Sequence, residues 1–126
     1  MEPSNWKIII VEDTYDDQQV VSHLLKHFGI TVFVAHNGNE CLDMLRSVEP
    51  TCIVTDLAMP LRDGWQTLQA IRSEPRTAHI PIVAITAYYA GDVAKSAIEA
   101  GFDGFFPKPL NPRTFVAQLG EIISAN

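Results

Sequence analysis

Acidic residues follow two apolar segments of this sequence at the point where each segment ends. Glu12 and Asp13 come directly after the run Lys7–Val11, and Asp56 follows the short run Cys52–Thr55. A carboxylate at the end of a buried strand costs free energy unless another group pairs with it. If the two segments are neighbouring strands, the three carboxylates repel one another. A divalent cation would relieve this repulsion, and Mg²⁺ prefers a few carboxylates plus water.

A hydroxyl and an ammonium stand at the ends of two later apolar segments. Thr86 ends the run Ile80–Thr86, and Lys108 follows the run Gly104–Pro107. The lysine is a compact cation that can pair with Asp56 or with a phosphate. A metal ion, a lysine and a hydroxyl together can hold a phosphoryl group, with Asp56 as a possible nucleophile. Each residue alone has an ordinary explanation as a loop, cap, strand or surface residue, so the hypothesis depends on their convergence.

Alternating strands and helices would bring these residues together. Apolar runs predict five strands, at Lys7–Val11, Thr31–Ala35, Cys52–Thr55, Ile80–Thr86 and Gly104–Pro107. Apolar residues at helical spacing predict a helix after each strand, with apolar faces in Val21–Phe28, Cys41–Val48, Trp65–Ile71, Ala94–Ile98 and Phe115–Ile123. This alternation predicts a parallel sheet with helices on both faces. Ligands bind such sheets at the carboxyl ends of the strands, here called the strand-end rim.

Length and composition limit the class of protein. With 126 residues, the chain is expected to form one domain, residues 1–126, with no output domain. A net charge of −6 argues against direct binding to nucleic acid or to an anionic membrane surface. Cys41 and Cys52 lack metal-ligand spacing and indicate reduced core residues of a cytoplasmic protein. No apolar run is long enough for a signal peptide or a transmembrane helix.

The ordered set of motifs resembles a known family. It comprises Glu12-Asp13, Asp56 with Met59-Pro60, Asp63-Gly64, Thr86-Ala87 and Lys108-Pro109. Together they are similar to the receiver domain of two-component response regulators, and the resemblance extends from about Trp6 to Ile123. It implies a flavodoxin-like α/β fold, with one five-stranded parallel sheet in the order 2-1-3-4-5. It also implies a sensor histidine kinase or phosphotransfer protein as donor, Mg²⁺ as cofactor and an aspartyl phosphate on Asp56.

The resemblance assigns a role to each residue of the rim. Asp13 and Asp56 would ligate Mg²⁺ directly, Glu12 would act mainly through water, and the carbonyl of Ala58 would complete the protein ligands. Thr86 and Lys108 would each bind a phosphoryl oxygen. Phe105 corresponds to the aromatic switch residue that moves inward with Thr86.

The resemblance also bears on signalling. The face made by the fourth helix, fifth strand and fifth helix is expected to bind a downstream protein, with the chain a monomer or, once phosphorylated, a dimer. Phe105 is often tyrosine in the family, and Pro107 stiffens its strand. Tyr88-Tyr89 replaces smaller or charged residues, and Tyr88 is expected to cover the path of hydrolytic water. The Lys108–Pro109 bond is expected to be cis.

Other functions remain open at this point. An aspartate-nucleophile phosphatase of the dehalogenase type would need a DxD motif after the first strand, where Glu12-Asp13-Thr14 stands. A flavodoxin-like electron carrier would need a Ser/Thr/Gly-rich phosphate loop at the same place. A receiver-shaped interaction module that works without phosphate is disfavoured by the complete acidic rim, and an assay would exclude it.

Overall fold

A computed structural model describes residues 2–59, 63–87 and 92–125 of the chain as one sheet flanked by helices. The strands are parallel and lie in the order β2-β1-β3-β4-β5, as predicted. They are β1 Lys7–Val11, β2 Thr31–Ala35, β3 Cys52–Asp56, β4 Ile82–Thr86 and β5 Gly104–Pro107. The helices are α1 Tyr15–Lys26, α2 Gly38–Met44, α3 Gly64–Ser73, α4 Val93–Ala100 and α5 Pro112–Ala125. None of the helices described is long and apolar enough to span a bilayer.

Helices cover both faces of the sheet, and its first strand is accordingly a continuous apolar run. Ile9 and Val11 pack toward α2, α3 and α4, whereas Ile8 and Ile10 pack toward α1 and α5. All four side chains are fully buried, as the alternation of side chains along a strand requires when both faces are covered. Burial of each contributes about 1.5–3 kcal/mol. This rigid sheet fixes the positions of the residues that follow its strands.

The Asp63-Gly64 motif lies at the start of α3. The Asp63 carboxylate accepts from the N–H of Gln66 at 2.9 Å, and the Gln66 side chain accepts from the N–H of Asp63 at 3.1 Å. This capping box satisfies two backbone donors at the helix terminus. A Cβ on Gly64 would collide with the carbonyl oxygen of Asp56. Glycine therefore allows α3 to begin against the end of β3.

The strand β4 begins two residues later than the apolar run predicted. The run begins at Ile80, but the strand spans Ile82–Thr86. Pro81 has no N–H to donate to a ladder. The carbonyl oxygen of Ile80 accepts instead from Nη1 of Arg72 at 2.6 Å. The first two residues of the run therefore belong to the loop before the strand.

Arg72 connects the end of α3 to the loops before β4 and β5. Its guanidinium also donates to the carbonyl oxygens of Ala78 at 3.0 Å and Gly101 at 3.1 Å, and it pairs with Asp103 at 2.8 Å. The fixed fork of a guanidinium allows one side chain to satisfy several acceptors. This network lies at the amino ends of the strands, away from the strand-end rim.

Candidate functional site

The register of the sheet places the predicted site residues side by side. Val11 of β1 pairs with Thr55 of β3, so the residues that follow them, Glu12 and Asp56, are neighbours. Parallel strands run in the same direction, and residues beyond paired positions therefore emerge at the same edge. The pairing of β1 with β3 thus brings together two acids that are far apart in sequence.

The other half of the rim is positioned by β4 and β5. Thr86 pairs with Pro107, and the N–H of Lys108 donates to the carbonyl oxygen of Thr86 at 2.9 Å. The Thr86 side chain is buried. Lys108 then leaves the sheet with its side chain directed to the acids.

The ammonium of Lys108 is the centre of the site. Its Nζ lies 2.9 Å from Oε2 of Glu12, 2.9 Å from Oδ2 of Asp56 and 3.1 Å from Oδ2 of Asp17. Charge-assisted hydrogen bonds of this length are among the stronger ones in proteins. An ammonium has three hydrogens, so these three carboxylates can account for all of its donors.

Burial and ion pairing together shift the pKa values of Glu12 and Lys108. The Glu12 side chain is 1% exposed, and loss of hydration raises its pKa from 4.5 to about 7; the charge of Asp56 adds to the rise and Lys108 opposes it. Burial by itself would lower the pKa of Lys108, but its hydrogen bonds to Asp56 and Glu12 outweigh that effect and raise it. Lys108 is therefore a permanent cation between acids whose charge it partly neutralises.

Asp56 is held on both oxygens. Oδ2 accepts from Lys108, and Oδ1 accepts from the N–H of Ala58 at 3.0 Å. The residue is only 7% exposed. A buried carboxylate with a fixed orientation beside one cation is suited to attack an electrophile that enters from the rim.

The carboxylates brought together by the fold include one that sequence reasoning missed. Among the described residues, carboxylate oxygens of Glu12, Asp17 and Asp56 lie within 4.8 Å of one another and could hold a metal ion. Asp13, predicted as a direct Mg²⁺ ligand, is exposed next to Glu12. Its role as a ligand, like that of the Ala58 carbonyl, stays a prediction.

Asp17 had a recognisable signal in the sequence. The apolar face of α1 contains Val21 and Leu25, both of which are buried. Asp17 precedes Val21 by four residues and therefore lies on the same face of the helix, one turn nearer the strand-end rim. Asp16 is offset from this face by one residue, so helical periodicity separates the two neighbouring acids.

Phe105, the predicted switch residue, is partly buried. It pairs with Ala84 in the sheet and packs against the apolar cluster shared with α2, α3 and α4. Its inward movement stays a prediction. The Lys108–Pro109 bond is cis, which confirms that expectation. Pro60, Tyr88 and Tyr89, which carry further sequence predictions, lie outside the described residues.

Comparison with known proteins identifies the class. The sequence matches the family described as response regulator receiver domain across residues 8–120. The transcriptional regulatory protein CpxR of Escherichia coli is 33% identical over 118 residues, which cover 93% of this chain and 49% of CpxR. The chain therefore spans about half the length of that relative.

Solved structures agree with this assignment. The chemotaxis response regulator CheY4 of Vibrio cholerae superposes with a TM-score of 0.83 at 27% identity, over 93% of this chain and 98% of that one. The receiver domain of the sensor histidine kinase PA1611 of Pseudomonas aeruginosa has a magnesium ion in its active-site cleft. It superposes with a TM-score of 0.85 at 25% identity, over 94% of this chain and 98% of that one. Fold and site thus define a doubly wound α/β signalling module. The chain belongs to the response regulator receiver domain family of two-component systems.

Proposed function

We propose that the chain accepts a phosphoryl group on Asp56 from a phosphohistidine of a sensor histidine kinase or phosphotransfer protein. The observation that carries this proposal is the buried Asp56 carboxylate, fixed 2.9 Å from the Lys108 ammonium. A carboxylate oxygen attacks phosphorus while the phosphorus–nitrogen bond breaks. The electron pair of that bond stays on the imidazole nitrogen, the other ring nitrogen keeps its proton, and Asp56 becomes an acyl phosphate.

The residues present fit a Mg²⁺ ion. Carboxylate oxygens of Glu12 and Asp56 lie within 4.8 Å of each other, and this ligand type suits Mg²⁺. Glu12, Asp13, Asp56 and the carbonyl of Ala58 would hold the ion. When bound, it would offset the charge of the transferring phosphoryl group. The magnesium ion in the PA1611 receiver domain supports this assignment.

The chain's own groups would stabilise the product. The Lys108 ammonium, already at the Asp56 carboxylate, can shift its hydrogen bond to a phosphoryl oxygen. The Thr86 hydroxyl would donate to another oxygen. The chain acts on itself in this reaction, promoting only its own phosphorylation and dephosphorylation, and is not an enzyme with a separate substrate.

The phosphate would then change the binding surface. Movement of Thr86 toward the phosphoryl group would draw Phe105 inward from β5. Both residues adjoin the face formed by α4, β5 and α5, which would bind a downstream protein target in the cytoplasm. The chain would act as a monomer, or as a dimer once phosphorylated, with no direct contact to nucleic acid or membrane.

Intact-mass measurement tests the phosphoacceptor assignment. With acetyl phosphate and Mg²⁺, the parent chain should gain one phosphoryl adduct, and Asp56→Asn should gain none. Asp43→Asn is the matched control, because it removes one exposed acid of α2 and should leave the adduct unchanged. An adduct of equal yield on Asp56→Asn would overturn the assignment. An absence of adduct on the parent, with kinase as well as with acetyl phosphate, would favour the phosphate-independent interaction module.

A further inference from the structure

Asp17 is hydrogen-bonded both to the site lysine and to the residue that precedes α1. Lys108 Nζ contacts Oε2 of Glu12 at 2.9 Å and Oδ2 of Asp17 at 3.1 Å. The Thr14 hydroxyl, in turn, lies 2.9 Å from Oδ2 of Asp17 and 3.3 Å from Oε1 of Glu12. Thr14 is the residue that precedes α1. Asp17 therefore connects the first turn of α1 to the ammonium.

Asp17 approaches the ammonium from the accessible side. Its side chain is 46% exposed, whereas those of Glu12 and Asp56 are 1% and 10% exposed. Asp17 and Lys108 both line a cleft of about 380 Å³, with Val20 and Leu110 among its other walls. Asp17 is therefore the outer partner of an ammonium whose other two partners are buried.

This geometry divides the ammonium between three anions. Without Asp17, the charge of Lys108 would fall on Glu12 and Asp56 alone, and Asp56 would be neutralised more completely. A more strongly paired carboxylate is a weaker nucleophile. While Asp56 is being modified, the ammonium would also be held by Glu12 alone instead of by Glu12 and Asp17 together.

We propose that Asp17 is a positioning residue for phosphorylation of Asp56 and that it acts through Lys108. This inference rests on the proposed phosphoacceptor function. Asp17 holds the ammonium from the α1 side, so that Lys108 can turn to the incoming phosphoryl group without losing its orientation. The role is specific to position 17, because Asp16, its neighbour in the same helical turn, is exposed and makes no ion pair among the described residues.

Asp17→Asn and Asp16→Asn form a matched pair that tests the proposal. Both remove one negative charge from the same turn, and both change the interaction with the helix dipole alike. With acetyl phosphate, Asp17→Asn should lower the maximal phosphorylation rate about threefold to fivefold, the effect of losing a partly exposed ion pair. Half-saturating acetyl phosphate and Mg²⁺ concentrations should match those of Asp16→Asn. Asp17→Glu should restore part of the rate, and Asp16→Asn should keep the parent rate.

A double-mutant cycle with Lys108→Gln shows whether the effect passes through the lysine. Asp17→Asn should have no further effect in that background. Equal losses in both backgrounds, or equal rates for the two aspartate variants, would overturn the role. A large rise in the half-saturating Mg²⁺ concentration for Asp17→Asn alone would also overturn it, because that result would show that Asp17 is a metal ligand. If Lys108→Gln does not fold, the comparison of Asp17→Asn with Asp16→Asn and the Mg²⁺ titration test the role of Asp17 instead.

The two proposals can fail separately. A parent chain that takes no phosphate overturns the proposed function. A parent chain that is phosphorylated at the same rate as Asp17→Asn overturns this inference alone.

Discussion

The carboxylate of Glu12 and the ammonium of Lys108 lie 96 residues apart in the chain and are joined by a hydrogen bond of 2.9 Å. Glu12 is almost completely buried, so its ionised form has lost its hydration. Lys108 compensates only in part, because Asp56 and Asp17 share the same cation. An acid whose ionised form is disfavoured in the fold makes stability depend on pH.

The pH dependence of the unfolding free energy should show the raised pKa of Glu12 in the folded chain. Its pKa rises from 4.5 to about 7 on folding, so the folded state binds more protons between these values. The stabilising contribution is therefore fully present below about pH 4.5 and is lost as the pH rises through about 7. In metal-free buffer, the unfolding free energy of Glu12→Gln relative to that of the parent should increase by on the order of 1–3 kcal/mol as the pH rises from 5 to 8. Urea unfolding at each pH measures this difference.

Glu49→Gln is the control for this experiment because Glu49 is exposed. Its difference from the parent should stay constant over the same pH range. A constant difference for Glu12→Gln as well would mean that Glu12 ionises in the fold as it does in the unfolded chain.

Gly64→Ala should disturb both stability and the site. The added Cβ would collide with the carbonyl oxygen of Asp56, so α3 or the end of β3 must move. We expect a loss of about 2–3 kcal/mol in unfolding free energy and slower phosphorylation by acetyl phosphate. Gly120→Ala in α5 is the matched control, since its Cβ would lie 3.6 Å from Trp6, an ordinary contact. That variant should be neutral or gain up to about 1 kcal/mol; equal effects of the two substitutions would contradict the close-approach argument.

Arg72→Met should destabilise the fold without altering the site chemistry. It leaves three carbonyl oxygens and Asp103 without their guanidinium partner. The expected loss in unfolding free energy is about 2–3 kcal/mol. Arg46→Met changes an exposed arginine and should stay within about 0.5 kcal/mol of the parent. The phosphorylation rate of folded Arg72→Met should equal that of the parent, and a large rate loss would show that this network reaches the rim.

Phosphorylation should alter the face formed by α4, β5 and α5. Thr86 is bonded through its backbone to Lys108, and Phe105 lies on the neighbouring strand. Amide chemical-shift changes between the free and phosphorylated chain should therefore concentrate between Tyr88 and Phe115. Asp56→Asn treated in the same way should show no such change. Shifts confined to α1 would place the output surface elsewhere.

Much of the fold could be predicted because its causes are local. The apolar runs that became β1 and β3 are bounded by charged or turn-forming residues, and each strand is completely or almost completely buried. Alternation of such runs with helical periodicity leaves few topologies other than a parallel sheet. The late start of β4 has one local cause, because Pro81 has no N–H to donate, and one cause that the sequence does not show, the Arg72 contact to Ile80 from another element.

The sequence by itself determined which residue types stand at the ends of β1, β3, β4 and β5. Since parallel strands end at the same edge of the sheet, that order was enough to predict a rim with Glu12, Asp13, Asp56, Thr86 and Lys108. Only the tertiary structure decided which acids share the ammonium. The rotation of α1, set by burial of Val21 and Leu25, turns Asp17 toward a lysine 91 residues away. Helical periodicity gives the face of a residue, but the distance to its partner depends on how the helix packs against the sheet.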